Sequence, residues 1–171
     1  KNIEALGVDM SAAERKLYDD VTEYIREYYN LARQEENQAA GFTMVIYQKR
    51  LVSSIYAIRK SLENRMRAIQ NEGTGQELPD DVQELIPQYS TEPETLTDAE
   101  RNRVEEALET VTITQNPDQV QAELDRVKEL WQQAKAIETD SKAQILKQFV
   151  SRILREDPDE KGLIFTEYTD T

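Results

Sequence analysis

The sequence predicts an all-α protein, an irregular bundle of about five or six helices followed by one short C-terminal strand fragment. Apolar residues recur every three or four positions through most of the chain, and capping residues stand in front of these runs. Gly73, Gly75 and three prolines gather in one polar segment between them. At 171 residues the chain is long enough for one domain with a core, so we predict a single domain.

The first predicted helical region covers residues 11–72. Ser11 and Glu14 have the spacing of a capping box, which opens a helix that runs to about Gln34. A second run of helical period starts at Asn37, and the pair Ser53-Ser54 allows either one bent helix or two helices in series. The segment 42–46 is apolar nearly all round, which predicts that it is buried.

Residues 73–95 are polar and proline-containing, so we predict a flexible acidic connection with at most one short helix, near 81–85. The second helical region, 96–156, begins with the capping box of Thr97 and Glu100. Its next helix is opened by Asn116-Pro117, a favoured cap residue followed by proline at the first helical position.

The last helix is predicted to start at Asp140-Ser141 and to stop before Asp157-Pro158. Its apolar side chains are expected to point inward, and they are Ile145, Leu146, Phe149, Val150 and Ile153.

Both ends of the chain indicate a piece of a larger protein. Residues 1–10 carry a short apolar pattern before the first cap, and the run 162–166 reads as a buried strand after a charged turn. Because a lone strand is not stable in water, we expect residues 157–171 to begin a sheet.

Composition narrows the chemistry. The chain contains no cysteine and no histidine, which leaves no thiolate nucleophile, no imidazole base and no sulfur-rich zinc site. It also lacks the glycine-rich phosphate-binding motifs. We therefore predict no catalytic, cofactor-binding or metal-binding residue. No run of 18 apolar residues and no signal peptide is present, so we expect an intracellular, cytoplasmic protein with no membrane partner.

The charge is unevenly distributed along a chain whose formal net charge is -13. Residues 37–72 are locally basic, whereas 73–127 are strongly acidic. The simplest interpretation of such blocks is solvated helix faces. The alternative is a phosphate-facing strip on the basic segment, formed by Lys49, Arg50, Arg59, Lys60, Arg65 and Arg67.

The acid pairs and aromatic residues have plain interpretations. Adjacent acids such as Glu105-Glu106 point about 100° apart on a helix, so we predict surface charge and not an acid–base pair. Base stacking by the tyrosines of the first helices is conceivable beside the basic segment, but helix packing is favoured. These tyrosines are Tyr18, Tyr24, Tyr28, Tyr29 and Tyr47. Trp131, on an apolar helical face, is predicted to lie in the core.

Four segments, taken in order, resemble helicases of the Swi/Snf type, in particular their RapA-like branch. Met10 to Val21 resembles the entry to the region between the two RecA-like lobes, and Gly41 to Ser54 resembles its second helix. Asp140 to Val150 is similar to the family's "DSK...L" helix, and Lys161 to Thr171 to motif IV, the first strand of the second lobe. The resemblance is weak between Gly73 and about Gln133.

The resemblance implies a parent protein that hydrolyses ATP with Mg and moves along double-stranded DNA, which is compatible with association with the nucleoid. This segment would be its inter-lobe helical region, packing against both lobes in a structural and coupling role without catalysis or cofactors of its own. Thr166 and Tyr168 would approach the DNA backbone, unless they are only sheet-edge residues. The rival hypothesis is a stand-alone helical protein–protein interaction module.

Overall fold

A computed structural model describes residues 7–70, 78–111, 114, 116–156 and 161. Over these ranges the chain is all-α, as predicted, and forms an irregular helical bundle with no strand. The predicted strand at 162–166 lies outside the described residues, as do Thr166 and Tyr168. The helices are α1 (Ala12–Gln34), α2 (Gln38–Ser53), α3 (Ile55–Gln70), α4 (Asp80–Thr91), α5 (Asp98–Glu109), α6 (Pro117–Ala136) and α7 (Ser141–Glu156), with one 3-10 turn (Pro93–Thr95) before α5.

The predicted caps start the helices. The backbone N–H of Glu14 donates to Ser11 Oγ (3.2 Å), and the N–H of Ser11 donates back to Glu14 Oε2 (2.7 Å). Thr97 and Glu100 form the same reciprocal pair at the start of α5. Asn116 Oδ1 accepts from Asp118 N–H (3.0 Å) at the start of α6. Each cap satisfies backbone donors that have no partner inside their own helix.

Of the two alternatives left open for the segment after Asn37, the structure contains two helices. Ser54 adopts extended backbone (φ -155°, ψ 158°), which ends α2. Its Oγ then accepts from the N–H of Ala57 (3.0 Å) and so caps α3. The chain turns back after Ser54, so that α2 and α3 pack on each other. The Tyr47 hydroxyl of α2 donates to the Ser61 carbonyl of α3 (3.2 Å) across this contact.

Helix α4 is longer than the short helix predicted near 81–85, since it covers twelve residues and contains Pro87. Although the segment is mostly polar, it has an apolar face of helical period, on which Val82 and Tyr89 are buried. Leu85 and Ile86 pack against the same core. Packing on α5 therefore stabilises a helix that composition alone did not indicate.

The core lies between helices α1 to α6. α1 packs on α2 and α6, α3 packs on α6, and α2 packs on α5. Tyr24, Tyr28 and Tyr47 are buried in this core, which confirms the packing interpretation for these three, whereas Tyr29 is exposed. The Tyr24 and Tyr47 rings stack across the α1–α2 contact, with centroids 6.3 Å apart. Trp131 is only partly buried and packs against the core from its edge.

Two predictions of burial were wrong. Val45 lies in the segment expected to be buried all round, yet it is 43% exposed, because α1, α3 and α5 leave one face of α2 uncovered. In α7 no side chain is buried, and none belongs to the described core. The inward face predicted for α7 is therefore unpartnered in the described part of the chain. No described helix is both long and apolar enough to cross a bilayer.

Candidate functional site

The tripeptide Asp140-Ser141-Lys142, at the start of α7, contacts the ends of three other helices. We call these residues, together with Glu14, Val52 and Ile55, the DSK junction. It is the place where α7 is attached to the bundle by hydrogen bonds.

Asp140 caps two helices with one carboxylate. Its Oδ1 accepts from the backbone N–H groups of Lys142 (2.8 Å) and Ala143 (3.3 Å) at the start of α7. Its Oδ2 accepts from the N–H of Ile55 (2.8 Å), the first residue of α3. A carboxylate is favoured at both positions because helix N-termini carry partial positive charge. The starts of α3 and α7 are thus held by the same side chain.

Glu14 serves two helix starts in the same way. The backbone N–H of Ser141 donates to Glu14 Oε1 (2.7 Å), and the Ser141 hydroxyl donates to Oε2 (2.5 Å). Burial disfavours the charged form, but the hydrogen bonds from Ser141 and Ser11 outweigh it and lower the pKa of Glu14 to about 2. The capping box of α1 is therefore also part of the attachment of α7.

Lys142 completes the junction at a helix C-terminus. Its Nζ donates to the carbonyl of Val52 and, at 3.5 Å, to that of Ser53, the last residues of α2. A cation is favoured there because the unpaired carbonyls of a helix end carry partial negative charge. One tripeptide thereby connects α1, α2 and α3 to α7.

Beyond the junction, α7 is an amphipathic helix whose apolar side chains lie outside the core formed by the described residues. Leu146 is 42% and Leu154 is 45% exposed, and the partly buried Ile145, Phe149 and Ile153 lie outside the core cluster. The helix carries four basic residues against the single acid Glu156, in a chain whose net charge is -13.

The predicted phosphate-facing strip is divided by the fold. Arg50 is 6% exposed, and its Nη2 donates to Glu105 Oε2 (3.0 Å). Arg65 is 1% exposed, and its guanidinium donates twice to Glu123 (2.7 and 3.0 Å). Neither side chain is accessible to a phosphate, which corrects the prediction for these two residues.

The remaining members of the strip lie nearer the surface. On α3, Arg59 lies over the exposed Tyr56 ring, 5.0 Å from its centroid. Lys60 and Arg67 both pair with Glu63, with a Lys60 Nζ to Glu63 Oε2 distance of 4.0 Å. On α2, Lys49 Nζ lies 6.0 Å from the centroid of Tyr89. These four side chains remain the candidates for a DNA contact.

The interpretation of Glu105 as surface charge was wrong, since it is buried and accepts from Arg50 and from the Tyr89 hydroxyl (2.8 Å). Glu109 accepts from Ser61 Oγ at 2.6 Å, and burial raises its pKa. The opposite charges of 37–72 and 73–127 were the signal for this pairing, because basic α2 and α3 pack on acidic α5 and α6.

These buried pairs join neighbouring helices and stabilise their packing. Each carboxylate is occupied by donors from the protein, and the Tyr24 hydroxyl donates to Glu123 Oε1 (2.9 Å) beside Arg65. In the ranges that the structure describes, no three histidine, cysteine or acidic residues are grouped so as to hold a metal ion.

Fold and site together define a helical bundle that holds one amphipathic helix at a capped junction. No protein-family model, no curated protein and no solved structure matches the chain.

Proposed function

We propose that the chain is the inter-lobe helical region of an ATP-dependent Swi/Snf-type DNA translocase, with a structural and coupling role. The observation that supports the proposal is the DSK junction. Three of the segments that carry the resemblance to these motors, residues 10–21, 41–54 and 140–150, are far apart in sequence. They contribute Glu14, Val52 and Asp140 to a single hydrogen-bonded cluster.

The junction supplies a physical route for coupling. Buried ion pairs hold the helices of the bundle together, whereas α7 is attached to the bundle through hydrogen bonds at its first turn. A rotation of α7 changes the partners of Asp140, Ser141 and Lys142 together, and so acts on three helix ends at once. In the motor, α7 would pack its apolar face on the second lobe, and the ATP and Mg would be held by the lobes.

The reading frame around this segment tests the proposal directly. A phosphate-binding glycine-rich loop is expected upstream of Lys1, and a lobe with an arginine finger downstream of Thr171. A gene product that lacks both lobes would overturn the proposal.

In the complete gene product, Asp140→Ala tests the coupling role. The variant should keep nucleotide affinity, measured by equilibrium titration, and lose a large part of the stimulation of ATPase activity by double-stranded DNA. Asp118→Ala, in the exposed first turn of α6, is the matched control and should leave the stimulation unchanged. Full stimulation in Asp140→Ala would contradict the coupling role.

The rival function, a stand-alone interaction module, is favoured by one observation: the apolar side chains of α7 lie outside the core in the part of the chain that the structure describes. It predicts a reading frame without motor lobes and a partner protein that binds the isolated chain. The same reading-frame observation separates the two functions.

A further inference from the structure

The core between α2, α3, α5 and α6 contains more carboxylates than cations. Among the described residues, Arg50 and Arg65 are buried there together with Glu105, Glu109 and Glu123. Arg65 donates to Glu123, and Arg50 donates to Glu105. Arg50 Nε lies 3.7 Å from Glu109 Oε1, which is longer than a hydrogen bond. Glu109 is therefore the carboxylate in excess.

Neutral donors contact Glu109 from α3. Ser61 Oγ lies 2.6 Å from its Oε1, and Asn64 Nδ2 lies 2.7 Å from its Oε2. The side chain is 1% exposed, so water does not solvate its charge. Burial raises the pKa of Glu109, although Arg50 and the two hydrogen bonds oppose the shift. Because a hydroxyl accepts as well as donates, Ser61 can also accept the proton of a neutral Glu109.

We propose that Glu109 is a proton-binding site in the core, and that its occupancy sets how firmly α5 packs on α2 and α3. With the proton bound, Arg50 balances Glu105 alone. When the proton leaves, Glu105 and Glu109 lie one helical turn apart, share one guanidinium and repel each other. Because α4 packs on α5, a weaker α5 contact loosens both helices. Proton binding at Glu109 does not depend on the function of the parent protein.

Other titratable or charged side chains surround this cluster on every neighbouring helix. They are Tyr47 and Lys49 on α2, Arg65 on α3, Tyr89 on α4 and Glu123 on α6. Burial and the nearby charge of Glu109 hold the pKa of Tyr47 well above its usual value, so this phenol stays neutral. Arg65 and Glu123 balance each other. The excess negative charge therefore remains on the carboxylates of α5.

The composition of the chain leaves a clear pH window for the test. The sequence contains no histidine and no cysteine, so no side chain with an ordinary pKa titrates between about pH 5 and pH 7. Because the pKa of Glu109 is raised in the folded protein, unfolding releases a proton in this window. The stability that the proton contributes is complete below pH 4.5 and is lost as pH rises through the folded pKa.

Urea denaturation of the full chain between about pH 5 and pH 7 measures this loss. In the wild type, the equilibrium constant of unfolding should rise by up to about tenfold per pH unit until the folded pKa is reached. Glu109→Gln imitates the neutral carboxyl, so it should show no such rise and should be more stable than the wild type at about pH 7. Glu106→Gln, on the exposed face of the same helix, is the matched control and should keep the wild-type rise.

Two spectroscopic measurements locate the proton and its effect. The carboxyl-carbon resonance that is lost in Glu109→Gln should titrate at higher pH than the one lost in Glu106→Gln. Amide hydrogen exchange should show protection in α4 and α5 falling more than protection in α1 as pH rises through the window.

A wild-type stability that is constant between about pH 5 and pH 7 would overturn the proposal, as would a rise that persists in Glu109→Gln. A Glu109 resonance that titrates together with that of Glu106 would show that Glu109 holds no proton in this window. If protection falls equally in all helices, the proton does not act through the packing of α5, and the proposed control of that contact is wrong.

Discussion

Carboxylates accept hydrogen bonds both in the interior of the bundle and at the DSK junction, but the donors differ between the two regions. In the interior, Arg65 and Glu123 bind side chain to side chain, away from water, and join α3 to α6. At the junction, Glu14 and Asp140 accept mainly from backbone N–H groups at helix ends. The interior pairs therefore fix how helices lie along each other, whereas the junction fixes where a helix begins.

The free-energy cost of removing one partner also differs between the interior and the junction. A charge left alone in the interior has no water to solvate it, and its cost is large. A helix end that loses its cap can still be partly solvated, so its cost is smaller. Removal of partners in each region should therefore produce effects of different size.

The largest effect is expected for Arg65→Met. The substitution leaves Glu123 charged and buried, and we expect it to lower the free energy of unfolding by about 3–5 kcal/mol, measured by urea denaturation. Arg67→Met, on the exposed side of the same helix, should change it by less than about 0.5 kcal/mol.

The double variant Arg65→Met with Glu123→Leu removes both charges of the buried pair. Because an apolar pair removes both desolvation costs, it should recover part of the stability lost in Arg65→Met, whereas the buried Tyr24 hydroxyl loses its acceptor on Glu123. If the single variant costs no more than Arg67→Met, the buried pair is not what distinguishes the interior.

A smaller, pH-dependent effect is expected for Glu14→Gln at the junction. The pKa of Glu14 is lowered from 4.5 to about 2, so its contribution is complete above pH 4.5 and is lost as pH falls toward 2. We expect the variant to lose about 1–3 kcal/mol at pH 7, and the two proteins to converge near pH 2. Glu27→Gln, on the exposed face of α1, is the control and should keep the wild-type pH dependence of stability. If the stability difference between wild type and Glu14→Gln stays constant with pH, the Glu14 carboxylate is not the group responsible.

Local signals predicted most helix starts, because caps act within a few residues of sequence. Ser11, Thr97 and Asn116 all cap the helices expected from them. Non-local pairing was not predicted: Arg50 and Glu105 are distant in sequence, and each looks like surface charge by itself. The junction was missed for the same reason, since nothing in a run such as Asp140-Ser141-Lys142 indicates which helix ends it will meet.

A still smaller effect is expected for the local cap of α5. Thr97→Ala removes the acceptor for Glu100 N–H and should cost about 1 kcal/mol, measured by thermal unfolding. Thr110→Ala, at the other end of the same helix, removes only a hydroxyl that donates to the Ala107 carbonyl, and should cost less. Equal losses would mean that the hydrogen bond from Glu100 N–H to Thr97 adds no stability of its own.

The smallest effect on stability is expected for charge reversal of Arg59 and Lys60 to glutamate, since these side chains lie outside the core and pair with exposed or half-exposed groups. The free energy of unfolding should change by less than about 0.5 kcal/mol. If the gene product is the proposed motor and these side chains face DNA, the reversal should also lower the stimulation of its ATPase activity by DNA and flatten the salt dependence, because two phosphate contacts would be lost. The control is charge reversal of Arg15 and Lys16, two adjacent residues of α1, which introduces the same charge at a different surface. If both double variants respond alike, the effect comes from net charge, and α3 does not face the DNA.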